Sequence, residues 1–131
     1  MFNTGHDGSL STGHANSPKD MISRLETMVL MGMNLPLPAI ERQIASGLDI
    51  IVHLGRLRDK SRKVLEVTEV LGYWDGQIHL QTIYRYEESR KEDENVTENE
   101  KKDQESKVHG EWKKVAELFH REKLVAAGYY I

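Results

Sequence analysis

A run of charged residues near the C-terminus limits how much of this chain can fold. Residues 87–107 contain 14 charged side chains and a single aliphatic one, Val96. Such a segment buries too little apolar surface to offset its ordering entropy, so we predict a charged, flexible linker there. The sequence therefore predicts three parts: a small folded domain over residues 1–86, the linker over residues 87–107 and a C-terminal helical segment over residues 108–131.

The overall composition excludes several classes of protein. The 131 residues carry a formal net charge of −3, which argues against a general attraction to nucleic acid or to an anionic membrane. The absence of cysteine excludes disulfides and thiolate metal sites. No apolar run approaches the length of a membrane span, and the N-terminus lacks the basic-then-apolar pattern of a secretory signal. We therefore expect a cytoplasmic protein without a transmembrane segment.

Two helices are predicted before residue 48. Ser17 is a typical N-cap residue, and Pro18 is favoured at the first helical position. Apolar residues then recur at helical spacing through residues 21–29, and Gly32 provides a stop. A second, shorter helix is predicted over residues 38–47, where Ile40 and Ile44 lie one turn apart.

A small, mainly antiparallel sheet is predicted over residues 49–86. The β-branched run in residues 50–54 is typical of a strand that is covered on both faces. A second strand is predicted over residues 64–73. Asp75 and Gly76 form a strong hairpin signal, and apolar and polar residues alternate behind them.

The segment after the linker is predicted to be helical. Its larger apolar side chains fall on one helical face, and Gly128 provides the stop. The residues on that face are Trp112, Val115, Ala116 and Phe119.

Polar side chains are concentrated in residues 3–17. Two Thr-Gly-His triplets, which end at His6 and His14, lie in a segment that is too polar and too rich in glycine to be a core element. Polar side chains on such a segment beside a regular element are a common way to build a site. Taken alone, both histidines are also explained as surface residues. We predict no metal site, because two histidines eight residues apart without cysteine match known ligand spacings poorly.

Four stretches, in order along residues 3–86, resemble the ring-forming ATPases that power type II and type IV secretion and the assembly of Tad-type pili. The first is similar to the histidine box of that family, the second to the helix that follows it, and the last two to the sequences that lead into the later strands. The stretches are residues 4–17, 23–31, 39–53 and 55–70.

The resemblance implies a hexameric P-loop motor with a RecA-like α/β core that uses ATP and Mg²⁺. In that family a glycine-rich loop and a lysine hold the phosphates, but this chain has no Gly-x-x-x-x-Gly-Lys-Ser/Thr sequence. We therefore expect an α/β fold that is part of a RecA-like domain, with a helical pair, a small sheet, the linker and a C-terminal helix. The chain alone is expected to bind no cofactor tightly, to hydrolyse no ATP and to self-associate through exposed apolar faces.

The resemblance also implies site residues. His14 matches the last histidine of the box, which is thought to sense the γ-phosphate, and an imidazole can donate hydrogen bonds to phosphate oxygens. His6 is the second catalytic candidate. Thr12 and Asn16 are expected to support nucleotide binding through hydrogen bonds. Arg24 is expected either at the nucleotide or a subunit boundary, or simply in solvent.

The implied partners are the other subunits of a homo-hexameric ring and the inner-membrane platform proteins of a secretion or pilus machine, which could hold the chain at the membrane surface. The alternative interpretation is a free-standing, non-enzymatic module that docks on a full-length secretion ATPase. Nucleic-acid binding through the five cations of residues 56–63 ranks third, because no aromatic residue lies among them and the chain is acidic. A solvated turn or a subunit contact is preferred for these cations.

Overall fold

The computed structural model describes residues 8–89 and 109–129. The strands in this part form a single four-stranded antiparallel sheet in the order β1-β2-β3-β4, so β1 and β4 are its edges. The helical pair and the antiparallel sheet confirm the sequence prediction. The elements in chain order are α1 (Pro18–Gly32), α2 (Leu37–Gly47), β1 (Ile50–Arg56), β2 (Arg62–Trp74), β3 (Gln77–Glu88), β4 (Gly110–Lys114) and α3 (Glu122–Ala126).

The RecA-like core remains a prediction. A core of that kind contains parallel strands, whereas every strand pair in the described residues is antiparallel. Both α1 and α2 pack on one face of the sheet, which is an α+β arrangement rather than an α/β one.

Local signals fix the start of α1. The backbone N–H of Asp20 donates to Ser17 Oγ at 3.1 Å, and Pro18 opens the helix as predicted. The helix ends where Met33 takes an extended conformation and its N–H donates to the Val29 carbonyl oxygen. The partial burial of Glu26 on α1 raises the pKa of its carboxyl group, and the nearby carboxylate of Glu41 on α2 raises it further.

The core lies between the helical pair and the sheet. Ile40 is completely buried, and Ile22 and Ile44 lie against it. Burial of these side chains is the main favourable contribution to folding in so small a domain. The partly buried side chains that surround them come from α1, the loops, β1 and β3: Leu25, Val29, Leu35, Leu48, Ile51, Ile78 and Leu80.

The hairpin between β2 and β3 is the one that the sequence predicts. Trp74 pairs with Gln77, so the loop consists of Asp75 and Gly76 alone. Both loop residues have positive φ, 52° for Asp75 and 75° for Gly76. Positive φ at both positions is the requirement of the tight turn that matches strand twist, and Asp-Gly meets it at little cost.

The prediction that β1 is covered on both faces is wrong. Ile50, Val52 and Leu54 are 41%, 51% and 65% exposed, whereas the residues between them are half-buried. Alternate side chains of a strand point to opposite faces, and α1 and α2 cover only the face on which Ile51 lies. A continuous β-branched run therefore gave no information about which face is covered.

The predicted helix through Trp112 and Phe119 is also wrong. Residues 110–114 form β4, where Trp112 pairs with Tyr86 and their rings meet edge-to-face at 5.3 Å. Pairing with β3 gives this backbone ladder hydrogen bonds and overrides the helical spacing. In residues 109–129 the helical part is α3, Glu122–Ala126. Glu87 and Glu88, which were predicted to belong to the linker, are part of β3. Residues 90–108 lie outside the described residues, so the rest of the linker and the boundaries of the three parts stay predictions.

The C-terminal segment after β4 is anchored to the sheet by a buried carboxylate. Glu69 on β2 is only 2% exposed, and its two carboxylate oxygens accept the backbone N–H groups of Phe119 at 2.9 Å and His120 at 2.8 Å. The ring Nε2 of His120 donates to the Leu71 carbonyl oxygen at 2.7 Å. Because Glu69 is adjacent to Thr68, which pairs with the core-facing Ile51, the segment lies on the sheet face opposite the helices.

Candidate functional site

A groove of about 880 Å³ runs along the outer edge of β1. One wall consists of residues 12–18 and the first turns of α1, and the other consists of residues 51–56 with Arg62 of β2. We call this feature the β1 groove. It exists because β1 is an edge strand and because the segment before α1 lies beside that edge.

Four of the five predicted site residues line the β1 groove. Thr12, His14 and Asn16 come from the segment before α1, and Arg24 comes from α1 itself. His6 lies outside the described residues. The structure thus brings together side chains that are up to 12 positions apart in the sequence, while their roles at a nucleotide stay predictions.

Arg24 has a contact that the sequence did not predict. Its Nη1 donates to the backbone carbonyl oxygen of His14 at 2.6 Å. The arginine therefore ties the segment that bears His14 to α1. Gly13 lies against the end of the Met21 side chain: a Cβ at position 13 would lie 2.6 Å from Met21 Cε, a contact that a shift of this flexible side chain would relieve.

The β1 groove is cationic although the whole chain is acidic. Three arginines line it, Arg24, Arg56 and Arg62, and among its described lining residues the only carboxylate is that of Asp20. His14 and His53 add two imidazoles. The low local density of carboxylates favours an anion over a metal cation as the ligand of such a groove.

Arg56 and Arg62 are the residues that sequence reasoning missed as part of this site, because it assigned them to a solvated turn or a subunit contact. They are direct cross-strand partners at the ends of β1 and β2. The signal that could have found them is their symmetric position around the turn, since a hairpin centred on Asp59 places residues 56 and 62 opposite each other.

The turn that joins the two arginines is fixed by hydrogen bonds. The Leu57 N–H donates to the Ser61 carbonyl oxygen at 2.8 Å, and the Lys60 N–H donates to the Leu57 carbonyl oxygen at 2.9 Å. Oδ1 of Asp59 accepts both the N–H and the hydroxyl of Ser61, at 2.9 and 2.5 Å. The positions of the two strand ends are therefore set before any ligand arrives.

Two further features of the described part bear on function. No group of three or more His, Asp and Glu side chains in residues 8–89 and 109–129 is arranged to hold a metal ion. None of the helices in the same ranges combines the length and the apolar character that a membrane crossing requires.

The fold and the groove define an α+β protein with a cationic groove at a free sheet edge. A family model described as type II/IV secretion system protein matches residues 1–122, so the chain belongs to that family. This confirms the family resemblance that the four stretches along residues 3–86 indicated.

Two curated relatives are similar to this chain. Both are named putative conjugal transfer protein and come from Mycobacterium tuberculosis, one from strain CDC 1551 / Oshkosh and one from strain ATCC 25618 / H37Rv. Each is 30% identical over 92 residues, which cover 70% of this chain and 26% of the relative. The chain thus matches about a quarter of the length of these relatives.

Proposed function

We propose that this chain is the C-terminal part of a hexameric ATPase motor that drives protein secretion or pilus assembly, and that its β1 groove faces the phosphates of ATP. The observation that carries the proposal is the meeting of Thr12, His14 and Asn16 with three arginines in one groove of a type II/IV secretion family member. Hydroxyl, amide, imidazole and guanidinium groups are all donors to phosphate oxygens.

The residues of the groove have distinct tasks in this proposal. His14 donates a hydrogen bond to a terminal phosphate oxygen, and Thr12 and Asn16 support the same ligand. Arg24 acts as a positioning residue, because its bond to the His14 carbonyl oxygen fixes the backbone beside the imidazole. ATP with Mg²⁺, when bound, supplies the phosphoryl group to be transferred.

The isolated chain is proposed to be inactive. It has no P-loop sequence, and the loop backbone and lysine of a P-loop supply most phosphate contacts in such motors. In the intact motor the groove meets a P-loop carried by another part of the protein. The ring neighbours and the membrane platform of a secretion machine are the partners in this arrangement.

A functional test uses a full-length, ATP-hydrolysing member of the family in which residues 1–122 of this chain replace the matched region. We expect the chimera to hydrolyse ATP and His14→Ala to lower kcat by about 10²-fold, the effect of removing one donor to developing charge. His109→Ala, outside the β1 groove, is the matched control and should leave kcat unchanged.

Unchanged hydrolysis in the folded His14→Ala chimera would contradict the assigned role of His14. A folded chimera without any hydrolysis would contradict the motor assignment. Recovery of this chain on an intact family ATPase would then support the alternative function, a non-enzymatic docking module.

The open edge of β1 is proposed to be covered in the intact motor. Unpaired edge strands with apolar side chains tend to pair with other chains. We therefore expect the isolated chain to self-associate as its concentration rises, and Leu54→Lys to reduce that association because it places a charge on the edge. Sedimentation velocity over a range of protein concentrations measures the self-association of the unaltered chain and of Leu54→Lys.

The control for this edge is Met31→Lys, which changes a side chain that is 85% exposed at the end of α1 and should leave the association unchanged. A chain that stays monomeric at every concentration would show that the edge needs no cover. That result would count against a motor fragment.

A further inference from the structure

We propose that Arg56 and Arg62 together bind one phosphate group at the end of the β1 groove. The inference rests on the proposed function in that it assigns two further ligand-binding residues to the same groove. Its ligand chemistry is the phosphate group, which ATP and inorganic pyrophosphate share.

The first argument is the cross-strand placement of the two arginines. They are Cα partners on neighbouring antiparallel strands, and both are exposed. Directly opposed residues in such a pair have Cα atoms roughly 4.5–5.5 Å apart. Two like charges at this spacing repel and destabilise the sheet unless an anion lies between them.

The second argument is the lack of a carboxylate for this pair within the described residues. Neither Arg56 nor Arg62 forms an ion pair there, whereas Arg58 of the same turn pairs with Glu88 at 3.7 Å. The carboxylate of Asp59 accepts two hydrogen bonds from Ser61. Among the described residues, the carboxylate of Glu88 therefore compensates the charge of Arg58, and Arg56 and Arg62 have no such partner.

The third argument is the position of the pair relative to the other donors. Arg56 and Arg62 line the same groove as His14, and Asp20 is the one carboxylate among the described lining residues. Asp20 lies in the first turn of α1, where its charge complements the helix N-terminus. The other ionisable side chains that line the groove are those of Arg24, His14 and His53.

The chemistry of arginine selects the ligand. A guanidinium group is planar and always charged, and it presents paired N–H donors that match two oxygens of one phosphate. Hydrogen bonds already hold the backbone of the turn between the two arginines, so binding has to order only their side chains. The pair therefore favours a compact oxyanion with several oxygens over a single carboxylate.

The test is a titration of the isotope-labelled chain with inorganic pyrophosphate and, separately, with ATP, followed by amide chemical shifts. It is run at a protein concentration at which sedimentation shows monomers. We expect saturable shifts around residues 12–16, 53–56 and 62, with a Kd on the order of 1 mM because the P-loop contacts are absent.

Arg56→Gln and Arg62→Gln should each weaken pyrophosphate binding about tenfold, since each removes charge-assisted hydrogen bonds. Arg58→Gln is the matched control, because it removes the same charge from the same turn at a side chain paired with Glu88. It should change Kd by less than about twofold. Unchanged shifts of β3 amides verify that each variant is folded.

The proposal would be overturned if Arg56→Gln and Arg58→Gln lost the same affinity for pyrophosphate, or if the unaltered chain showed no saturable binding. If Arg56→Gln and Arg62→Gln lose the same affinity for pyrophosphate and for ATP, the arginine pair binds the phosphate group that the two ligands share. A loss of affinity for ATP alone would contradict this. Failure of the motor function has a different signature, because the pyrophosphate site would persist while the folded chimera hydrolyses no ATP.

Discussion

Replacing Ile40 by alanine is expected to lower the free energy of unfolding by about 2–5 kcal/mol, the largest stability effect of any single substitution discussed for this chain. Ile40 is completely buried between α1, α2 and the sheet, so the truncation leaves a cavity as well as losing apolar burial. A small domain has a total stability of only about 5–15 kcal/mol. Urea unfolding followed by far-ultraviolet circular dichroism measures the loss.

The control for Ile40→Ala is Met31→Ala, another apolar truncation in the helical pair, at a side chain that is 85% exposed. It should change stability by less than about 0.5 kcal/mol. If the two variants unfold at the same urea concentration, the core is not where the structure places it.

Replacing Glu69 by glutamine is expected to release the C-terminal segment from the sheet. The amide keeps one acceptor oxygen but presents an NH₂ group to the other backbone N–H, so one of the bonds to Phe119 and His120 is lost. A hydrogen bond to a charged group contributes about 1.5–3 kcal/mol, and the loss should appear as faster hydrogen exchange of these two amides.

The control for Glu69→Gln is Glu87→Gln, the same change at an exposed carboxylate whose hydrogen bond from Lys113 raises the pKa of that lysine. A solvent-exposed ion pair of this kind contributes little to stability, so Glu87→Gln should leave the exchange of Phe119 and His120 unchanged. Unaltered exchange at both Phe119 and His120 in Glu69→Gln would mean that the segment is held by other contacts, such as the 2.7 Å bond from Gln81 Nε2 to the Glu117 carbonyl oxygen.

The features that the sequence predicted correctly depend on neighbours in the chain. Ser17 and Pro18 start α1, and Asp75 and Gly76 form a two-residue hairpin, because capping and turn geometry need only a few adjacent residues. Ile40 and Ile44 were placed on one helical face for the same reason. The family was identified because several short stretches occurred in the right order.

The features that the sequence missed depend on contacts between distant residues. The spacing of Trp112 and Phe119 suits a helix, and only the partner strand β3 turns it into β4. The partners of Glu69 are backbone N–H groups about 50 positions away, which no side-chain pattern reveals. Arg56 and Arg62 belong to the candidate site only because the sheet edge and the segment before α1 lie side by side.

The pairing of Glu88 with Gly110 at the start of the β3–β4 ladder has a consequence for how the chain tolerates insertions. The ladder holds the two ends of the intervening sequence next to each other, and the Ser89 N–H donates to the His109 carbonyl oxygen at 2.7 Å. If the intervening sequence behaves as the linker that its composition predicts, doubling its length costs only about 0.6 kcal/mol of closure entropy. Relatives with much longer or shorter sequences between these strands can therefore keep the same sheet.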